Sequence, residues 1–263
     1  MTAPGDFRAR LLARRRMVLM NPDHPAPSLV EAIAALGVDA VMIDTEQGSP
    51  DVETVEDMAR AARACGLCAL VRVFAPEPWV IERYLLRGVH GLVVPRVETA
   101  AQARAVVAAV RYCFPVPGAK TIIVQVETAG AVAELDALLA IEGIDALFVG
   151  PVDLARSLGH QGDYHQPEVL AVIGRTLARI AAAGRPAGML VTAADAAAWQ
   201  ARGATLLYTH LDMFARLGAD VFHRAAAGGQ RRGQMPQMRN SRAALPANIA
   251  CCSASLNPAM ISA

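Results

Sequence analysis

Two carboxylates, Glu127 after Thr121-Ile-Ile-Val-Gln-Val and Asp153 after Ala146-Leu-Phe-Val-Gly-Pro-Val, follow two consecutive apolar runs of strand character. If those strands are parallel neighbours, one hard divalent cation can bridge the pair, and two oxygen ligands leave most of its coordination to water and a chelating substrate. Mg²⁺ and Mn²⁺ suit such a site, with Co²⁺ as a further candidate. The plainer alternative is that each carboxylate caps the helix after its strand. What separates the two readings is the rest of the chain that must position the acids.

That chain alternates brief β-branched runs with longer stretches of helical period, eight times over. The pattern predicts strands at 17–20, 39–43, 68–73, 91–95, 121–126, 145–149, 186–191 and 204–208. It predicts helices at 27–36, 53–64, 77–86, 98–110, 130–139, 165–183, 193–201 and 211–226. Pro50-Asp51, Glu98-Thr99 and Thr192 with Asp195 are helix-start signals, and Gly37, Gly66, Gly88, Gly184 and Gly203 stand where helices should stop. Eight such units give an α/β chain of the (β/α)₈ TIM-barrel class. A doubly wound sheet would want a Gly-rich turn after the first strand, and Met20-Asn-Pro-Asp-His-Pro-Ala-Pro has no glycine. The expected organisation is a lead-in helix over 1–15, a single barrel domain over 16–227, and a disordered tail over 228–263 where the periodicity stops.

Composition narrows the function further. A formal charge of +1 on 263 residues leaves no electrostatic footprint for nucleic acid, and no apolar run is long enough to span a membrane. The Arg-rich start lacks the apolar segment of a secretory signal, so a cytoplasmic location is expected, with an organelle transit peptide as the lesser alternative. Cys65-Gly-Leu-Cys68 falls where a helix ends and a strand begins, the reverse of a redox CxxC at a helix N-terminus, and no second pair completes a zinc site. Both are expected to be small hydrophobes. Lys120 is the only lysine and precedes the fifth strand, at the N-terminal face, which excludes a Schiff-base mechanism. The loops after strands seven and eight have no glycine cradle for phosphate.

In such a barrel the active groups project from the C-terminal strand ends. The second strand ends in Asp44, Glu46 and Gln47, the third carries Arg72, and the fourth ends in Arg96. The fifth brings Gln125 and Glu127, the sixth Pro151, Val152 and Asp153, the seventh Thr192, and the eighth His210 and Asp212. Arg72 inside Val71-Arg-Val73 is costly to bury without an anion, so it is either a substrate group or half of an ion pair with Glu46 or Glu127.

These residues resemble the HpcH/HpaI aldolase/citrate lyase family of class II, metal-dependent pyruvate aldolases. The likeness runs from Val18 to Ala226 and rests on Ile43-Asp-Thr-Glu, Leu70-Val-Arg-Val, Val93-Val-Pro-Arg-Val-Glu, Val124-Gln-Val-Glu and Ile141-Glu-Gly-Ile-Asp-Ala-Leu-Phe-Val-Gly-Pro-Val-Asp-Leu. It implies a carbon–carbon lyase that makes or cleaves 4-hydroxy-2-oxo acids, with pyruvate as the enolate component and an aldehyde as its partner. It implies further that Glu127 and Asp153 hold the metal, that Arg72 faces the enolate oxygen, and that Gln125 orients a ligand or metal-bound water. The turn at Pro151, Val152 and Asp153 would bind the carboxylate. Asp44, Glu46 and Gln47 would belong to the catalytic group, with His210 on the substrate side.

Two departures stand out. Where such aldolases have a histidine after Asp-X-Glu this chain has Gln47, an amide that exchanges no proton near neutral pH, so either Glu46, a metal-bound water or His210 serves as base or proton transfer is slow. The segment Tyr112 to Lys120 is shorter than the family's, from which a different pocket roof is expected. The first departure leaves two alternatives open: a condensing enzyme of citrate-synthase or malyl type, and a non-catalytic keto-acid-binding relative. The family's trimer-based hexamers, with the surplus apolar residues Trp79, Leu85, Leu86, Met213, Phe214 and Leu217, imply a homo-oligomer.

Overall fold

The structure, a computed structural model, describes residues 6–228. In chain order its elements are α1 (Phe7–Leu12), β1 (Met17–Asn21), α2 (Pro27–Ala34), β2 (Ala40–Asp44), α3 (Val52–Ala64), β3 (Cys68–Arg72) and α4 (Pro78–Leu85). Then come β4 (Gly91–Val94), α5 (Ala100–Cys113), β5 (Thr121–Val126), α6 (Ala129–Ala133), α7 (Leu135–Leu139), β6 (Ala146–Val149) and α8 (Pro151–Ser157). The last are α9 (Pro167–Ala182), β7 (Ala187–Leu190), α10 (Ala196–Ala201), β8 (Ala204–His210) and α11 (Leu211–Gly228). All strand pairs are parallel, and the eight strands close in sequence order into a barrel.

Both faces of these strands are buried, which is why they read as nearly unbroken apolar runs. One set of alternate residues, including Leu19, Met42, Leu70, Ile123, Phe148 and Leu206, packs together, joined by Phe7 and Leu11. Those two lie four residues apart on one face of α1, so the short lead-in helix is fixed by the barrel rather than by its own propensity. The other set packs against the helices, with Val41, Val71, Leu92, Val124 and Leu147 meeting residues such as Val55, Val106 and Ile173.

Most expected elements are present within a few residues of their predicted ends. Asp51 caps α3 by accepting from the Thr54 N–H at 2.7 Å, and Thr99 with Gln102 forms a capping box on α5. Asp195 forms no such cap. Its side chain instead accepts from the Thr192 N–H behind it. The helix expected over 130–139 is two short helices meeting at Glu134, and α8 was not foreseen, its seven residues being too few to show a period.

The expected pocket roof is overturned. The segment after α5 leads into the N-terminal end of β5, as helix-to-strand loops in such barrels do, with Gly118 beside the Arg8 guanidinium. It is therefore no roof over this chain's own strand-end site. Lys120 lies at the same end, donating to the Val89 carbonyl at 2.5 Å with its ammonium over the Phe114 ring. Cys68 is buried and its thiol pushed up by that burial, which suits a small hydrophobe and not a reactive thiolate.

The chain divides into two compact units, Met1–Ala219 and Asp220–Ala263, and every strand among the described residues lies in the first. The expected disordered tail begins at Gly228, and from residue 229 onward lies outside the described residues. No helix among the described residues is long and apolar enough to cross a membrane.

His90, just before β4, gives the fold an acid-sensitive joint. Its Nδ1 accepts from the Ala69 N–H at 2.9 Å, so that nitrogen must be unprotonated. Burial, with the Lys120 and Arg63 cations, holds its pKa below the usual histidine value. A base with a depressed folded-state pKa contributes stability that is present above pH about 6.5 and lost as pH falls through the lower folded value. His90→Asn keeps an acceptor there without titrating. Melting temperatures from pH 7 down to pH 5 should fall less in that variant than in the parent; parallel curves would show that His90 does not set the acid limb.

Candidate active site

The polar strand ends converge at one mouth of the barrel. Register places Asp44 directly beside Arg72. The guanidinium grips Asp44 in a two-point pair, Nε to Oδ1 at 2.9 Å and Nη2 to Oδ2 at 2.5 Å. Asp44 is thus the main partner of Arg72; the expected ion pair with Glu46 is present as well, at 3.4 Å. Burial alone would raise the Asp44 pKa, but Arg72 and the N–H groups of Glu46 and Gln47 hold it below the ordinary value. Asp44 is consequently an anchor for Arg72 and for the turn after β2, and not a proton carrier.

Glu127 lies three positions from the register pair Val124↔Leu147 and is buried at 3% exposure. Its Oε1 accepts from the Arg96 N–H at 2.6 Å and its Oε2 from Gln125 Nε2 at 2.7 Å. Arg96 sits at φ 57°, a strained value for a residue with a side chain, and the turn it makes aims that N–H at the carboxylate. Burial, with Glu46 and Asp153 nearby, pushes Glu127 up to about 7 despite that hydrogen bond. Glu46 is also raised by burial, against the pull of Arg72 and of Arg96, whose Nε is 3.3 Å away. Asp153, in the first turn of α8, is half exposed and ion-paired with Arg156 at 2.6 Å.

Three carboxylates, Glu46, Glu127 and Asp153, therefore lie within electrostatic reach of one another, and the Asp153 charge raises the proton affinity of the other two, an interaction that a divalent cation between them would relieve. Two further features of the structure suit that ion. Gln125 Oε1 is buried without a hydrogen-bond partner, so the site contains an acceptor awaiting a ligand or its water. Gly150 has no room for a side chain, since a Cβ would stand 2.8 Å from the Glu127 Cβ and 2.9 Å from its Oε2. Gly150→Ala should displace the carboxylate and cost roughly 10–100-fold in Mn²⁺ affinity by calorimetry, as loss of a ligand-orienting contact does. Unchanged affinity would free Gly150 from that duty.

Of the remaining expected residues, Pro151 is buried at the start of α8 and Val152 half-buried beside it, and the α8 N-terminus has no side-chain cap. Gln47 is exposed and lines a cavity of about 160 Å³ together with Asn21, Asp23, Asp44 and His210. Asn21 and Asp23 escaped the sequence reading, although the rule of examining every strand end would have found them at the end of β1. Asn21 Nδ2 donates to the Tyr208 oxygen at 3.0 Å, and its Oδ1 receives the Asp23 N–H at 2.9 Å. The ligand atoms of Asp23, His210 and Asp212 lie within 4.8 Å of one another, the one three-residue grouping of this kind among the described residues.

Against known proteins, residues 16–226 match the model of the HpcH/HpaI aldolase/citrate lyase family. The chain is 32% identical over 209 residues to a pyruvate aldolase of Rhizobium etli, covering 70% of this chain and 82% of that protein. It is 34% identical over 218 residues to a hydroxypyruvate/pyruvate aldolase of Cupriavidus necator, covering 73% and 80%. A crystal structure of a family protein from Burkholderia cenocepacia superposes with a TM-score of 0.77 at 30% identity, over 86% of this chain and all of that one. The eight-strand barrel, the motifs at its strand ends and these matches agree: the chain belongs to the HpcH/HpaI aldolase/citrate lyase family.

Proposed function

We propose that the protein is a metal-dependent carbon–carbon lyase that cleaves or forms 4-hydroxy-2-oxo acids, with pyruvate as the enolate component and an aldehyde as its partner. The observation that carries this reading is the buried Glu127 carboxylate beside Asp153 and Glu46 with Arg72 close by. Its relatives named as pyruvate and hydroxypyruvate/pyruvate aldolases support it. Glu127 and Asp153 would hold a divalent cation, Mg²⁺ or Mn²⁺, which supplies Lewis-acid polarisation of the 2-oxo group. Arg72, kept charged by Asp44 and Glu46, stabilises the negative charge that develops on the C2 oxygen when the C3–C4 bond opens. Because Asp44 takes two of its N–H groups, the guanidinium is fixed before substrate arrives and spends little on reorganisation. The buried, unpartnered Gln125 Oε1 would serve a ligand or water of the site, and the Val152 and Asp153 N–H groups at the start of α8 would donate to the substrate carboxylate.

Trp79, Leu86, Phe214 and Leu217 are all more than 40% exposed, a surplus that favours a homo-oligomer; Leu85 is buried in its own barrel and Met213 half-buried. A trimer-based hexamer should appear in light scattering, against which a monomer at micromolar concentration would count. A cytoplasmic location goes with this small-molecule chemistry. The activity is tested by pyruvate release from a panel of 4-hydroxy-2-oxo acids with Mn²⁺, Mg²⁺ or chelator present. Metal-dependent release is expected. Release that survives the chelator would contradict the metal site, and tight keto-acid binding without turnover would favour a binding protein.

A further inference from the structure

We propose that Asp23 and His210 form the proton-transfer dyad of this site, with His210 Nε2 the group that removes the proton of the 4-hydroxyl. The proposal rests on the lyase reading above and names the base that Gln47 cannot supply.

The dyad is built by two adjacent strands. Asn21 and His210, the last residues of β1 and β8, are register partners, so the chain leaving β1 passes directly beside the histidine. Asp23 is turned back towards it at φ 63° by its own N–H bond to Asn21 Oδ1. His210 Nδ1 then lies 2.6 Å from Asp23 Oδ1, while Asp23 Oδ2 accepts the Asp212 N–H at 2.7 Å. Both oxygens of Asp23 are thereby engaged, and its orientation is fixed from two sides. A carboxylate only accepts, so the ring nitrogen facing it carries the hydrogen, and the neutral ring keeps its lone pair on Nε2. The Tyr208 ring, edge-on with centroids 4.9 Å apart, holds the imidazole plane.

The cavity context selects this pair. His210, Asp23, Asn21 and Gln47 line the same cavity, and Nε2 has no hydrogen-bond partner among the described residues. The other carboxylates of this end of the barrel have partners: Asp44 pairs with Arg72, Glu46 with Arg72 and Arg96, Asp153 with Arg156 and Asp212 with Arg216, and Glu127 accepts from the Arg96 N–H and from Gln125. The Asp23–His210–Asp212 grouping could instead be read as a second cation site, yet the Nδ1 contact and the Asp212 N–H already use the oxygens a cation would need. A histidine oriented by a carboxylate and open at its far nitrogen is the arrangement general-base chemistry requires.

In cleavage, Nε2 takes the 4-hydroxyl proton, the C3–C4 electron pair moves to C2–C3 as the enolate, and C4 becomes the aldehyde carbon. A proton from water then goes to C3, and Nε2 gives up the proton it took to the resulting hydroxide, which completes pyruvate and restores the neutral ring with no oxidant or reductant. Addition runs the same steps in reverse, His210 returning the proton to the new hydroxyl. Asp23 is the positioning residue and His210 the catalytic one.

The test uses the full Mn²⁺-loaded chain with 4-hydroxy-2-oxopentanoate as substrate. His210→Ala should lower kcat by about 10² to 10⁴, the usual worth of a general base, with Mn²⁺ affinity unchanged by calorimetry. Free imidazole should recover part of that loss, and Gln47→His in the same chain should recover more, since it offers a tethered ring in the same cavity. His210→Asn, which can still donate to Asp23, covers the case in which the alanine variant does not fold. For the positioning role, ¹⁵N spectra of the histidine-labelled, metal-free protein should show His210 with hydrogen on Nδ1, and Asp23→Asn should shift that tautomer without lowering the melting temperature. Parent-like turnover in both His210 variants, absence of any rescue, or loss of Mn²⁺ affinity would each overturn the dyad. An inactive parent protein would instead overturn the lyase reading itself.

Discussion

Glu127→Gln and Asp153→Asn should each weaken Mn²⁺ binding by more than about 100-fold, beyond the roughly 10–100-fold that follows loss of an outer contact. Each removes one of two carboxylates assigned to the ion, and Glu46, the third acid in the cluster, is held by two arginines. The loss should come without unfolding, for a reason the electrostatics makes specific. A carboxyl whose folded value is raised to about 7 is destabilising when ionised: the stability it contributes is complete below its unfolded value and lost as pH rises through 7. At pH 8 the metal-free Glu127→Gln variant, neutral and of the same shape, should therefore melt no lower than its parent. Calorimetry and melting curves on the chelator-treated proteins read both effects. Unchanged Mn²⁺ affinity in both variants would remove Glu127 and Asp153 as the ion's ligands.

The second large effect concerns Arg72. Arg72→Lys preserves the charge and removes the planar fork that Asp44 grips at two points, so the charge can no longer be held where the C2 oxygen becomes negative. We expect kcat to fall by roughly 10²-fold or more, the cost of deleting one oxyanion donor. The same change loosens Asp44, which organises the turn carrying Glu46 and Gln47. Melting temperature separates the two consequences: a modest fall with a large kcat loss assigns Arg72 to chemistry, whereas near-normal turnover would leave it as the structural partner of Asp44.

How far the chain could be read in advance follows from which forces are local. The eight strands were legible because each is buried on both faces and each helix on one, so hydrophobic period reports the fold directly. The Asp51 and Thr99 caps were legible because they act over three residues. The α6–α7 break and α8 were not, being held by tertiary contact over lengths too short for a period. At the site, the convergence of Arg72, Gln125 and Glu127 followed from their strand-end positions. What did not follow was pairing. That Arg72 prefers Asp44 depends on the β2–β3 register, and that Glu127 takes an N–H from Arg96 depends on a positive φ that no sequence pattern announces. His210 was visible as a polar strand end, while its carboxylate lies 187 positions away in sequence, in a loop noticed only for its lack of glycine.

The central claim, that this barrel polarises a 2-oxo acid and stabilises its enolate, is tested most directly by proton–deuterium exchange at the pyruvate methyl group, followed by NMR in D₂O with Mg²⁺ present. The account predicts loss of the methyl proton signal in the parent protein, strong dependence on Mg²⁺, and suppression in both Glu127→Gln and Arg72→Lys. Exchange no faster in the parent with Mg²⁺ than in buffer alone, under conditions where pyruvate is bound, would contradict it.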